Sequence, residues 1–105
     1  MTGSELHQLL IERWGRSYDI QFRRLQGELF VLIMWRYLEQ ASFPLSEADY
    51  LDHLEAVTTY LNGWGVAEQV RLGIQQAKGN PRLGKAISIP VNLGDRASEW
   101  LLDEF

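Results

Sequence analysis

From Tyr18 to Leu25 apolar and polar residues alternate. Tyr18, Ile20 and Phe22 fall on one side, Asp19, Gln21 and Arg23 on the other. That period of two predicts a half-buried strand. Gln26-Gly27 follows as a turn signal. Gln is a poor first residue for the favoured two-residue hairpin turns, so a bulge or a longer loop is an open alternative. Leu29 to Trp35 (LFVLIMW) is then apolar at every position. Such a run suits a strand in the middle of a sheet, although a buried helix has the same pattern. The hairpin signal before it and its β-branched and aromatic content favour the strand.

Helical periods frame this hairpin. Leu6, Leu9, Leu10 and Trp14 form one apolar face, with Thr2 and Glu5 in capping-box spacing and Gly15 at the exit. After the Phe43-Pro44 break, Ser46 is an N-cap, with Glu47 and Asp49 in the first turn. Tyr50, Leu54, Val57, Leu61 and Trp64 recur at helical spacing, with the end expected at Asn62-Gly63. Val66, Val70, Ile74 and Ala77 give the next helix its buried face, and Gly79-Asn80-Pro81 stops it. Lys85 to Leu93 alternates again, and Pro90 confines that strand to an edge. A short last helix is expected from Gly94-Asp95, with Ala97, Trp100, Leu101 and Phe105 on one face. The order αββααβα predicts a compact two-layer α+β domain spanning residues 1–105. Its three-stranded, mainly antiparallel sheet (Tyr18–Leu25, Leu29–Trp35, Lys85–Val91) packs against helices.

With no Cys in 105 residues, disulfides, thiolate catalysis and cysteine-ligated metal sites drop out. No apolar run approaches the roughly 18 residues that a spanning helix needs. The start, MTGSELHQLL, has neither a basic n-region nor a long apolar h-region. The expected address is the cytoplasm, with no membrane insertion.

Little in the chain spells out a reaction. His7 has no carboxylate at helical spacing, and His53 shares a helix face only with Asp49. Two groups do not make a metal site. No nucleophile elbow, zinc-protease helix or phosphate loop is present. Six serines are candidates for hydrolase chemistry, and the sequence singles out none of them. The expectation is a protein that is not an enzyme and takes no cofactor or metal.

Charge is distributed unevenly. The net charge of −4 argues against a nucleic-acid binder. Residues 46–70 hold five acids and no base, whereas residues 71–96 hold five bases and one acid. Arg82, Lys85 and Arg96 bracket the last predicted strand at loop ends, where binding residues tend to sit. Trp100 is a possible anchor beside them, since Trp and Arg dominate interface hot spots. These four are the candidate partner-binding residues. The same bases could instead pair internally with the acidic helix or with Glu99, Asp103 and Glu104.

Three blocks carry a resemblance: WGRSYDIQ (Trp14–Gln21), MWRYLEQASFPLSEADYLDHLEAV (Met34–Val57) and PRLGKAISIPVNLGDRASEW (Pro81–Trp100). In order and spacing the chain resembles a small uncharacterised-domain family of cyanobacteria and plastids. The resemblance implies a compact two-layer α+β fold. The family's plastid members are assembly factors for the chloroplast ATP synthase and bind the β subunit of its soluble head. The resemblance therefore implies a protein partner, and that β subunit is the candidate. The chain is expected to be the free-living bacterial form, without a transit peptide or long extension. No functional residue is carried over from the family. The function expected is that of a non-enzymatic accessory protein acting as a monomer. The alternative is a small-ligand or anion-binding regulatory domain using the Arg82, Lys85 and Arg96 region.

Overall fold

A computed structural model describes residues 1–94. The last predicted helix, with Arg96 and Trp100, lies outside them. The first helix, α1, spans Gly3–Trp14. The Glu5 amide donates to Thr2 Oγ1 at 3.1 Å and the Thr2 amide to Glu5 Oε1 at 3.3 Å, closing the capping box. Its exit is Gly15, at φ 78°.

Two strands follow, β1 (Tyr18–Leu25) and β2 (Glu28–Tyr37). Leu25 pairs directly with Glu28, so Gln26-Gly27 is a two-residue turn with φ of 54° and 82°. Both values are positive, as the mirror-image hairpin turn requires. Gln26 takes the left-handed conformation despite its side chain, and the longer-loop alternative falls. The register shifts at the other end, where Tyr18 meets Tyr37 but Ile20 already meets Ile33. The extra residues of β2 are accommodated there.

Helices α2 (Glu47–Trp64) and α3 (Ala67–Gln76) precede β3 (Ile87–Val91). Ser46 caps α2 by accepting from the Asp49 amide at 3.1 Å. The helix does not stop at Asn62-Gly63. It runs on to Trp64, which is buried, and turns at Gly65 with φ 73°. Burying Trp64 outweighs the local weakness of a helical glycine.

The sheet is antiparallel throughout, in the order β1-β2-β3, with β2 central. Leu29, Val31 and Ile33 of β2 are buried in one core with Leu6, Leu10, Tyr50, Leu54, Val70 and Ile74 of the helices. Phe30, Leu32 and Met34, on the opposite face of β2, are only half-buried and stand apart from that core. Among the described residues the fold is thus two layers, helices over one sheet face. Gly73 brings α3 against β3, since a Cβ there would sit 2.5 Å from Ile89 Cγ2.

Candidate partner-binding surface

Several element ends meet at one pole of the domain. Here α1 and α3 end, β1 begins and β2 ends. The segment from Ala77 to Ala86 leads from α3 to β3. Arg13 donates to the Ala77 carbonyl, and Trp14 Nε1 donates to the Gly79 carbonyl at 2.9 Å. The connection to β3 is therefore anchored on the last turn of α1. Pro81 is buried behind it.

From that anchored base projects a tight turn. The Arg82 amide donates to the Lys85 carbonyl at 3.0 Å and the Lys85 amide to the Arg82 carbonyl at 2.7 Å. Gly84, at φ 77°, supplies the left-handed residue of the tip. This reciprocal pairing sets the Arg82 and Lys85 side chains on the same face of the ribbon. Leu83 between them is 89 % exposed. Sequence periodicity missed Leu83, because it belongs to no strand or helix. Its signal was an apolar residue alone between two bases beside a glycine.

Arg13, Arg16, Arg36 and Lys78 lie at the same pole. Arg13 stacks over Trp14 at 5.4 Å and Arg16 over Tyr37 at 4.5 Å. The ion pairs among the described residues are His53–Asp19, Arg71–Glu5 and Arg71–Glu68. None of them uses a base of this pole, so internal pairing of Arg82 and Lys85 with the acidic helix is not present. Glu39 at this end is occupied with the Ser17 amide, at 3.0 Å.

The histidines take partners that helical spacing did not reveal. His53 pairs with Asp19 of β1, 3.4 Å away, and not with Asp49. Its Nε2–H donates to the Ile20 carbonyl at 2.8 Å. The hydrogen bond that the imidazole donates to Asp19 pushes the His53 pKa up, against an opposing effect of burial. His7 Nε2 lies 2.8 Å from Ser17 Oγ. A serine and a histidine do meet, then, but Glu39 holds the serine's backbone instead of the imidazole. Ser17 is also buried. A catalytic serine needs a base oriented by a third group and an approach for substrate. The arrangement instead ties α1 to the start of β1. No group of three or more His, Cys, Asp or Glu capable of holding a metal occurs among the described residues.

Two open depressions flank β3. One, of about 450 Å³, lies by Gly27, Gln69 and Asn92; the other, of about 360 Å³, runs between the end of α3 and β3. No helix among the described residues is long and apolar enough to cross a membrane.

Fold and surface together define a small α+β domain. Residues 4–101 match the family described as a domain of unknown function, DUF3067, and the chain belongs to that family. No curated protein matches it. Among solved structures, the chain is similar to the solution NMR structure of the Alr2454 protein from Nostoc sp. strain PCC 7120. The two are 59% identical over 99% of this chain and 100% of that one, with a TM-score of 0.88.

Proposed function

We propose that this chain is a non-enzymatic accessory domain that binds a protein partner through the turn carrying Arg82, Leu83 and Lys85. The observation that carries this reading is the exposure of Leu83, 89 %, on a turn closed by its own backbone. A leucine is rarely left that bare on a hydrogen-bonded turn between two bases that form no ion pair among the described residues. Such a tip suits an apolar socket with an acidic rim, the usual plan of an interface with apolar centre and polar edge. Arg96 and Trp100 complete the proposed contact set from the sequence. The family resemblance supports the β subunit of the ATP synthase soluble head as the partner, and assistance in its assembly as the role.

The test is binding of the purified chain to that β subunit, measured as association rate against salt. Reversing both bases, Arg82→Glu with Lys85→Glu, is expected to slow association and alter its salt dependence. Thermal stability should stay within about 0.5 kcal/mol, as for surface changes away from buried features. Unchanged binding by the double variant places the interface elsewhere. If the β subunit does not bind, and phosphorylated metabolites instead raise the melting temperature by mass action, the anion-binding reading replaces this one.

A further inference from the structure

An open sheet has two edges, and exposed edges invite pairing with another chain. Here side chains cap each edge over part of its length. At the outer edge of β1, Tyr50 Oη donates to the Tyr18 carbonyl at 2.8 Å and His53 donates to the Ile20 carbonyl at 2.8 Å. The Ile20 amide is taken by Asp19 Oδ1 at 2.9 Å. Side chains of the fold have thus closed that edge at Tyr18 and Ile20.

The outer edge of β3 is closed along only half its length. Past its end, the Gln69 side-chain amide behaves like a short strand. It accepts from the Asn92 amide at 2.8 Å and donates to the Asn92 carbonyl at 3.0 Å. Asn92 therefore turns its backbone groups away from β2. Strand alternation turns those of Pro90 and Ser88 the same way. Pro90 has no N–H to offer. Ser88 has both an N–H and a carbonyl, it is exposed, and no hydrogen bond to its outward groups occurs among the described residues.

This unclosed half faces the groove of about 360 Å³, which Gly73, Gln76, Ala77 and Lys78 line from the α3 side. Lys78 lines the groove, and the Arg82–Lys85 turn directly precedes Ala86, which lines it too. No ion pair among the described residues involves Lys78, Arg82 or Lys85. Resting on the protein-binding reading above, we infer that an extended acidic segment of the partner adds to the sheet as a fourth strand beside Ala86–Ser88. The Ser88 N–H and carbonyl would supply the backbone pairing and the three bases would receive the segment's carboxylates. Main-chain pairing with selective side-chain contacts is the physics of strand addition. Pro90 and Gln69 set the limit of the added strand, leaving the half of β3 next to the bases.

The test uses the isotope-labelled full chain and a synthetic heptapeptide, Glu-Val-Thr-Val-Glu-Val-Thr, with free ends blocked. Two control peptides accompany it: one with Lys in place of Glu, and one N-methylated at every internal amide, which keeps the side chains but has no internal N–H to donate from either edge. The acidic peptide is expected to shift the amide signals of Ala86, Ser88 and Lys78. It should also slow Ser88 amide exchange by about tenfold or more. Neither control should do so. No change at β3 up to millimolar acidic peptide, or equal effects of the N-methylated peptide, overturns strand addition. Equal effects of the Lys peptide overturn the acidic assignment. The outcome is independent of the β subunit. If that subunit binds while the peptide leaves β3 untouched, this inference fails and the protein-binding reading stands. If the peptide pairs and the subunit does not bind, the strand site stands and the named partner falls.

Discussion

Replacing Gly73 by alanine sets two effects of known sign against each other. Gly73 lies inside α3, so alanine gains about 1 kcal/mol in helix propensity. The new Cβ, however, would sit 2.5 Å from Ile89 Cγ2, with Ile89 Cδ1 and Cγ1 both at 3.4 Å. Carbon atoms want roughly 3.5–4.0 Å, so helix and strand must part by about 1 Å or Ile89 must leave its rotamer. Ile89 is a stiff β-branched residue, only 4 % exposed. Overpacking of this kind costs about 1–3 kcal/mol, so the net expectation is a loss of up to about 2 kcal/mol. Urea denaturation should show a lower midpoint with an unchanged slope. Ile89→Ala removes the clashing methyl and costs about 2–5 kcal/mol on its own. In the double variant the alanine at 73 fills part of that cavity. The two changes together should then cost about 1 kcal/mol less than their sum, or better. A Gly73→Ala variant more stable than the parent, or strict additivity, refutes the close approach of α3 to β3.

Two further outcomes follow from the buried polar contacts. Tyr50→Phe removes the only hydroxyl bonded to the Tyr18 carbonyl among the described residues, with both residues buried. The orphaned carbonyl should cost about 1–3 kcal/mol, read as a fall in melting temperature of about 4–8 °C per kcal/mol. A change too small to measure would mean that water reaches that carbonyl. Asp19→Asn should weaken the pH dependence of stability that His53 contributes. The His53 pKa is raised in the folded state, first by its hydrogen bond to Asp19. Its contribution is therefore fully present below the unfolded value of about 6.5 and is lost as pH rises through the folded value. Melting temperature against pH, parent beside variant, should diverge on the acidic side. Parallel curves would exclude the pair as a source of pH dependence.

The local rules read well here because each boundary carries its own chemistry. Thr2, Glu5 and Gly15 mark α1, Ser46 marks α2, and the run of apolar residues in β2 announced a central strand. The misreadings are of two kinds. One is local conformation overruled by packing. Gln26 adopts φ 54° because the short hairpin demands it, and α2 passes through Gly63 because Trp64 must reach the core. The other is pairing across sequence distance. His53 lies 33 residues from the Ile20 carbonyl it meets, and His7 lies 10 residues from Ser17, on a different element. Helical spacing proposed Asp49 for His53, yet at a surface helix face a neighbouring carboxylate competes with water, whereas Asp19 sits on the strand beneath. The candidate surface was half legible. Arg82 and Lys85 stood out as charges at a loop end. Leu83 did not, because exposure of an apolar residue is a property of the folded turn.

The bases at the pole divide by what holds them. Helices α1 and α3 both end there, and helix C-termini carry unsatisfied carbonyls and partial negative charge that favour nearby cations. Arg13 answers that need directly, by donating to the Ala77 carbonyl at the end of α3. It also stacks on Trp14, so its side chain belongs to the architecture. Arg16 is similarly engaged over Tyr37. Arg82 and Lys85 differ, because among the described residues only their backbone groups are engaged, each closing the turn for the other. Their positions are fixed while their charged ends form no ion pair among the described residues. Fixing the backbone and leaving the charge uncommitted lowers the entropy that a contact must overcome on binding. That separation is also what makes the charge reversal informative. Replacing Arg13 would disturb the junction of α1 with the loop, so lost binding could mean lost structure. Reversing Arg82 and Lys85 leaves every described hydrogen bond of the turn in place, so a change in binding would report on the surface itself.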